Sequence, residues 1–301
     1  MIKRALESDT DKLKEIYDRL FEPGYVSFYF EHVYKPFNTY VIKQKNEIVA
    51  CVSVNRHGTM INGKKLNVSY LTGLYISNDV DSQDLYKTML AEVVEEMTYN
   101  DLITIIKAED KDYYEDLGFE AIYQRKNYRI TRDQLPFYSD IGIVDQLSSI
   151  DMKEVYHHFT QHFDGYFHRD LDYYDLKQAW IDNSDYTLIG YVNKENIPEG
   201  YMILDERKST VIIKEIVYLN SVAFVKLLNR ALSIRGAIKL SLPKELNMDK
   251  IIPQLAYEIE DHVYARINDI ELFNRLYNTE INDVKQVFKL SKKPLFINEI
   301  F

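Results

Sequence analysis

The sequence has little of what several classes of protein depend on. A single cysteine, Cys51, in 301 residues rules out an internal disulfide, as is usual in the reducing cytoplasm. Glycine is scarce, at 10 residues against a usual ~7% of a chain, so few glycine-dependent phosphate loops can be present. No apolar run reaches the ~18–20 residues that a membrane-spanning helix needs, and the polar, acidic amino terminus is not typical of a signal peptide. We therefore expect a cytoplasmic protein with no membrane partner.

The chain has fewer positively than negatively charged residues, with 37 Lys and Arg against 47 Asp and Glu, which gives a net charge of −10. Nucleic-acid binding requires clustered Lys and Arg, so no nucleic-acid partner is expected. An acidic surface suits an amine-bearing substrate, although acidity that serves solubility alone is more common. The remaining composition, 46% hydrophobic and 28% charged, is typical of a globular protein, and the length allows two domains.

The first 132 residues alternate between strand and helix patterns. Turn-forming pairs at 45–46 and 62–63 separate runs rich in β-branched residues, which predicts a hairpin that continues into a strand over 68–76. That strand is followed by the loop SNDVDSQD (77–84) and by a helix over 85–97. The predicted order of elements is β-α-α-β-β-β-α-β-α-β.

From residue 140 the same order returns without obvious sequence identity, which indicates a repeat of architecture. The predicted helices are 150–163, 171–182, 220–234 and a stretch over 248–257 that Pro253 interrupts, and the predicted strands are 186–192, 199–206, 209–219, 236–243 and 262–269. The sequence therefore predicts an α/β protein with domains at 1–135 and 140–269 and a short carboxy-terminal tail at 270–301.

The segment YYEDLGFE (113–120) is the most specific local signal. It resembles the helix-to-strand signature of the Gcn5-related N-acetyltransferases, the GNAT superfamily, in which an aromatic pair precedes a charged residue and Leu-Gly-Phe. The resemblance implies that the hydroxyl of Tyr114 lies beside the cofactor thiol. A phenol with a pKa of ~10 can donate a proton to a departing thiolate of similar basicity. Packing of a short helix by Tyr113 and Tyr114 is the alternative explanation.

The resemblance extends over the whole chain. The opening RALESDTDKLKEIYDRLF and the order of elements also resemble the GNAT superfamily. The second unit, the phrase DGYFHR (164–169) and the segment ARINDIELF (265–273) resemble its subgroup of enhanced-intracellular-survival acetyltransferases. These proteins have two tandem acyl-CoA N-acyltransferase (GNAT) folds, each a mixed twisted sheet flanked by helices, followed by a sterol-carrier-like domain. The 32-residue tail is too short for that domain, so a vestige of it is expected.

The resemblance implies transfer of an acetyl group from acetyl-CoA to an amine of a small molecule or peptide by direct attack. It assigns Tyr114 as the general acid and the terminal carboxylate of Phe301 as the general base, although an apolar tail that merely covers a groove explains the ending LFINEIF equally. Members of the family often assemble, and homo-oligomers are left open here. The implied cofactor contacts are Leu74, Tyr75, Ile76, Ser82, Gln83, Asp84 and Leu85.

The loop 77–84 departs from the family pattern, in which a basic residue and glycines hold the pyrophosphate. Asp81 takes the basic position and Asp84 the first glycine position, and both carboxylates oppose a bound phosphate. The same residues are well suited to start a helix, where Asp81 or Ser82 caps it and Asp84 favours the dipole. The alternative function is therefore a non-catalytic binding or scaffold protein that has lost acetyl-CoA binding.

Other candidate residues have ordinary explanations. His158 and His162 are spaced for zinc on the predicted helix, but no cysteine or HExxH pattern accompanies them. Arg56 and His57 fall in the predicted hairpin, where they line an acceptor pocket or simply form part of the hairpin. Cys51 lies in a predicted strand, which gives an acetyl-enzyme mechanism no support. We expect no metal site.

Overall fold

The computed structural model describes residues 2–21, 24–77, 82–107 and 114–298. Within them the α-helices are α1 (Thr10–Leu20), α2 (Tyr25–His32), α3 (Ser82–Thr98), α4 (Ser149–Thr160), α5 (Leu171–Asp182), α6 (Ser221–Arg235), α7 (Ile270–Tyr277) and α8 (Val284–Val287). The strands are β1 (Lys3–Arg4), β2 (Thr39–Gln44), β3 (Glu47–Ile61), β4 (Lys64–Ile76), β5 (Ile103–Ile106), β6 (Glu120–Thr131), β7 (Ile143–Val144), β8 (Tyr186–Val192), β9 (Pro198–Asp205), β10 (Val211–Tyr218), β11 (Ala237–Pro243) and β12 (Tyr257–Ile267).

The turns of the first hairpins lie where the sequence predicts them. Lys45 and Asn46 both have positive φ, 50° and 68°, and Asn62 and Gly63 repeat this pattern at 48° and 77°. Two consecutive positive φ angles match the twist of the flanking strands, which is why Asn and Gly are favoured there. The two turns make β2, β3 and β4 a continuous antiparallel meander.

Side-chain caps set the first residues of three helices in the second half of the sequence. The Ser148 hydroxyl accepts a hydrogen bond from the Asp151 N–H, and the Asp151 carboxylate accepts one in return from the Ser148 N–H. Asp170 caps α5 and Asn220 caps α6 in the same way. Each cap satisfies an N–H group that the helix itself cannot, so these starts are encoded locally.

The chain divides into two compact units. Unit 1 comprises the residues up to Ile122 together with His262–Lys292, and unit 2 comprises Tyr123–Asp261 together with Lys293–Asn298. In unit 1 the strands follow the order β1-β2-β3-β4-β5-β12, with β4 and β5 parallel and the other neighbours antiparallel. In unit 2 the order is β7-β8-β9-β10-β11-β6, again with one parallel pair, β10 and β11.

Each unit takes its last strand from the other half of the sequence. Residues 264–267 of β12 pair with β5 inside unit 1, and residues 125–131 of β6 pair with β11 inside unit 2. The sequence had suggested instead that each half closes its own sheet. The two final strands have the same local pattern, so only long-range pairing decides which sheet each one joins.

Several predicted element bounds are wrong in detail. The stretch 248–257 forms only a 3₁₀ turn over Met248–Lys250, because Pro253 cannot continue a helix, and β12 starts at Tyr257 and not at 262. Helix α4 ends at Thr160 and not at 163. The region 270–301, predicted as a simple tail, contains α7 and α8.

Helices cover both faces of the sheet in unit 1. Helix α3 buries Met89, Leu90, Val93 and Val94 against one face, and α1 with α2 covers the other through a separate cluster. In unit 2, α6 buries its apolar face against the sheet in a large cluster of its own. The mixed α/β class predicted from the sequence is confirmed. None of the helices in the described ranges combines the length and the apolar character that crossing a bilayer requires.

Candidate functional site

The pairing of strands β4 and β5 in unit 1 ends before β4 does. Their parallel pairing joins Ser69, Tyr70 and Leu71 to Thr104, Ile105 and Ile106, where β5 ends. The last five residues of β4, 72–76, run on past this pairing while β3 still follows them on the other side. Among the described residues, no strand pairs with residues 72–76 on the side away from β3, and we call this stretch at the carboxyl edge of the parallel pair the opening.

Backbone groups of β4 face this opening. The Ser77 N–H donates to the carbonyl of Val49, on the side of β3, at 2.8 Å. Because successive residues of a strand turn their N–H and C=O groups to opposite sides, those of Ile76 and Leu74 point away from β3, whereas those of Tyr75 point towards it. Two of the three predicted backbone positions therefore face the opening.

A bulge in β4 is held from behind by a tyrosine. The register of β3 and β4 shifts between Cys51 and Ser53, and Gly73 in this bulge has a φ of +60°. A Cβ at Gly73 would lie 2.0 Å from the hydroxyl of Tyr17, so only glycine fits. The Tyr17 hydroxyl shares a 2.6 Å hydrogen bond with the Ser53 hydroxyl, which fixes the bulge against the meander.

The side chains of the predicted cofactor residues fall on two faces. Leu74, Ile76 and Leu85 pack against the apolar cluster that also contains Tyr114. Tyr75 packs on the opposite face, against the cluster of α1 and α2. The structure therefore brings three of the predicted residues together with the predicted acid and separates one from it.

The start of α3 follows the opening directly. Ser82 and Gln83 lie in its first turn, and Asp84 is exposed there, a position where a carboxylate stabilises a helix through its dipole. The loop residues Asp79 and Asp81 lie outside the described residues. Free N–H groups at a helix start can hold a phosphate, and a carboxylate in that first turn opposes one there.

Tyr114 is buried and bonded to a second tyrosine. It caps the 3₁₀ turn Glu115–Leu117, and its side chain is 6% exposed. Its hydroxyl shares a 2.6 Å hydrogen bond with the hydroxyl of Tyr86, one turn into α3. Tyr86 cannot be singled out among the 25 tyrosines from the sequence, because the contact depends on how α3 packs.

Phe301, Cys51 and Arg56 are further candidate residues from the sequence. The predicted base, Phe301, lies outside the described residues. Cys51 is fully buried and its burial raises the pKa of the thiol to about 12, so it carries no thiolate near neutral pH. Arg56 donates to the buried carboxylate of Asp101, which ties β3 to the start of β5.

His158 and His162, whose spacing on a helix could suit zinc, do not lie on the same helix in the structure. His158 is exposed and lies 2.8 Å from the Glu154 carbonyl through its Nδ1, and His162 follows the end of α4. Across the described part of the chain, no three His, Cys, Asp or Glu side chains form a group that could hold a metal ion.

The opening fits the acyl end of a coenzyme A thioester. It offers the edge backbone groups of Leu74 and Ile76, apolar side chains around them and the N-terminus of α3 within one loop of the strand. Backbone groups that have no strand neighbour can bind an amide-containing arm as a neighbouring strand does.

Known proteins include relatives of the first 122 residues. Residues 1–122 match the family described as an acetyltransferase (GNAT) domain. A search of curated proteins by sequence finds no match.

Several solved structures share the fold. A probable N-acyltransferase from Enterococcus faecalis V583 is 17% identical with a TM-score of 0.71, covering 91% of this chain and 73% of that one. A GCN5-related N-acetyltransferase from Anabaena variabilis is 15% identical with a TM-score of 0.73, covering 90% and 73%. Eis1 from Mycobacterium abscessus is 14% identical with a TM-score of 0.66, covering 90% and 75%. The predicted acyl-CoA N-acyltransferase fold is therefore confirmed.

Proposed function

We propose that this chain, whose residues 1–122 form a domain of the GNAT acetyltransferase family, transfers an acetyl group from acetyl-CoA to an amine of a small molecule or peptide. The family and the fold support acyl transfer in general. The observation that carries the proposal is the opening past Leu71 and Ile106, with the hydroxyls of Tyr114 and Tyr86 in the cluster beside it.

Acetyl-CoA, when bound, supplies the acetyl group as a thioester. The outward N–H and C=O groups of Leu74 and Ile76 would hold the arm of the cofactor as a neighbouring strand would. The free N–H groups in the first turn of α3, residues 82–85, would hold the phosphates. Asp84 weakens that contact, so we expect a modest affinity for acetyl-CoA.

Proton transfers in this proposal are assigned to two groups of the chain. As the amine nitrogen bonds to the acetyl carbon and the carbon–sulfur bond breaks, Tyr114 donates its phenolic proton to the leaving sulfur. Tyr86, hydrogen-bonded to Tyr114 at 2.6 Å, can stabilise the phenolate that remains. The terminal carboxylate of Phe301 takes the proton that the amine loses. Its role comes from the family resemblance, and the described residues do not include it.

The experiment compares Tyr114→Phe with wild type for release of coenzyme A in the presence of an amine panel. Loss of a general acid lowers kcat by about 100-fold and leaves acetyl-CoA affinity unchanged. Tyr99→Phe is the matched control, since Tyr99 is 84% exposed in the same unit. Equal kcat in Tyr114→Phe and wild type would show that Tyr114 is not the acid.

The alternative, a binding or scaffold protein without cofactor, is supported by the acidic loop. The double variant Asp81→Arg/Asp84→Gly restores the family pattern at both positions. If wild type does not bind acetyl-CoA and the double variant does, the alternative is correct and the proposal above fails.

A further inference from the structure

Two tyrosine hydroxyls meet inside the apolar cluster of unit 1. Tyr86 is 7% exposed and Tyr114 is 6% exposed, and their oxygens lie 2.6 Å apart. Most members of that cluster are aliphatic side chains or methionines. Phenylalanine would fill the same space at both positions without burying a hydroxyl, which costs free energy unless it is hydrogen-bonded. Packing alone therefore does not account for a tyrosine at both positions.

The position of Tyr86 is set by α3. Tyr86, Leu90, Val93 and Met97 are buried in the cluster and follow one another at i, i+4, i+7 and i+11, which is one face of a helix. Tyr86 is the first member of this stripe, one turn after the helix start at Ser82. Its hydroxyl is therefore held near the amino-terminal end of α3 by the packing that joins the helix to the sheet.

The position of Tyr114 is set by its backbone and its ring. Its carbonyl accepts hydrogen bonds from the N–H groups of Leu117 at 3.0 Å and Phe119 at 3.2 Å. Its ring packs edge-on against those of Phe119 and Tyr86, each with centroids 6.3 Å apart. One tyrosine is thus fixed by a helix and the other by a turn, and their hydroxyls meet at a defined place.

A hydrogen bond between two phenols has one donor and one acceptor. The positions of the oxygens allow either hydroxyl to donate, and the hydroxyl that accepts keeps its own proton for a further partner. If Tyr114 donates to Tyr86, the Tyr114 proton is engaged in that bond. If Tyr86 donates to Tyr114, the Tyr114 proton points elsewhere, and a leaving sulfur can receive it.

Ionisation of Tyr114 is compatible only with the second direction. Once Tyr114 has lost its proton it can only accept, so the Tyr86 hydroxyl must donate to it. Hydrogen bonds to a charged acceptor are stronger than those between neutral groups. A donor that is already in place when the charge develops needs no reorganisation. The pair is therefore best suited to proton donation when Tyr86 is the donor throughout.

We propose that Tyr86 is a positioning residue for the proposed acid Tyr114: its O–H donates to the Tyr114 oxygen and so directs the Tyr114 proton to the leaving sulfur. This inference rests on the proposed function. As the amine nitrogen bonds to the acetyl carbon and the carbon–sulfur bond breaks, the Tyr114 proton passes to the sulfur and completes the thiol of coenzyme A. Tyr86 keeps its own proton, and the Tyr114 phenolate takes one from solvent before the next turnover. The proton that the amine loses goes to the base of the proposed function and has no part in this inference.

A titration without turnover tests the hydrogen bond. 3-Fluorotyrosine in place of Tyr114, introduced by stop-codon suppression, reports the ionisation of that one phenol among 25 tyrosines through its ¹⁹F chemical shift. In Tyr86→Phe the titration midpoint should lie about one pH unit higher, because the phenolate has lost a donor. Tyr40→Phe is the matched control and should leave the midpoint unchanged, since Tyr40 is 3% exposed in the same cluster but has Arg4 over its ring. A midpoint that is unchanged or lower in Tyr86→Phe would overturn the inference.

Turnover tests whether Tyr86 acts through Tyr114. Tyr86→Phe should lower kcat about tenfold, less than Tyr114→Phe, and should move the alkaline loss of activity to higher pH, because the acid then stays protonated to higher pH. The double variant Tyr86→Phe/Tyr114→Phe should be no slower than Tyr114→Phe, since a positioning residue has nothing to act on without its partner. Losses that multiply, or a lower kcat with an unmoved alkaline limb, would show a merely structural role and overturn the inference.

The two arms separate this inference from the proposed function. A wild type without turnover refutes the proposed function, and the fluorine titration still decides whether the Tyr86 hydroxyl supports ionised Tyr114. If wild type turns over and Tyr114→Phe equals it, this inference fails while acetyl transfer itself stands.

Discussion

Replacing Glu215 with glutamine removes a buried negative charge from unit 2. The substitution keeps the shape of the side chain, but it leaves the fully buried Arg169 and Lys177 without a counter-charge. Breaking a buried ion pair by removing one partner typically costs about 3–5 kcal/mol. We therefore expect Glu215→Gln to be among the most destabilising single changes in unit 2.

The pKa of Glu215 gives a second route to this magnitude. A carboxyl whose pKa falls from 4.5 in the unfolded chain to about 2 on folding stabilises the folded state by about 3 kcal/mol. Because the folded pKa is the lower one, this stability is present above pH 4.5 and is lost as the pH falls through 2. The difference in the free energy of unfolding between wild type and Glu215→Gln should therefore decrease as the pH drops from 5 towards 2.

The assay is urea unfolding followed by the fluorescence of Trp180, the only tryptophan in the sequence. Trp180 is buried in unit 2, where its ring lies 4.6 Å from that of Tyr186, so it reports the unfolding of that unit. Glu195→Gln, at an exposed position of the same unit, is the control and should stay within about 0.5 kcal/mol of wild type. If Glu215→Gln lost less than about 1 kcal/mol at pH 7, the cost of unpaired buried charge would be absent and the reasoning wrong.

Two further predictions concern unit 1. Gly73→Ala should lower the free energy of unfolding by about 2–3 kcal/mol more than Gly63→Ala, as measured by thermal melts. Both glycines have positive φ, but only at Gly73 would an added Cβ lie 2.0 Å from Tyr17. Equal losses for the two variants would contradict the clash. Cys51 should resist thiol reagents at pH 8 in the folded protein and react at once in urea, because burial raises its pKa to about 12. Rapid modification of the folded protein would count against that burial.

Local chemistry made much of the fold predictable. The turns at Asn46 and Gly63 and the cap at Asn220 depend on neighbouring residues alone, so the sequence indicated the elements that they delimit. The exchange of the last strands, β6 and β12, between the two halves could not be predicted from the sequence, because it is decided by pairing between residues far apart in the chain. The helix predicted over 248–257 from its apolar spacing does not extend beyond a 3₁₀ turn, because Pro253 cannot continue a helix.

The candidate site was predictable to a similar extent. Leu74, Ile76 and Tyr114 come together because strand and helix patterns place them at one sheet edge. Tyr86 was missed because its hydroxyl contact depends on helix packing. The partnership of Arg169 with Asn298 spans 129 positions, and no local pattern indicates which buried charge a tail residue will meet.

Titration calorimetry with acetyl-CoA tests the central claim most directly. The account predicts one molecule bound per chain, in the opening of unit 1, because the cavity beside β10 and β11 in unit 2, which Phe296 and Asn298 help to line, is only about 10 Å³. The affinity should rise in Asp84→Gly, which removes a carboxylate from the first turn of α3. Absence of binding to wild type, whether or not Asp84→Gly binds, or two molecules bound per chain, would contradict the account.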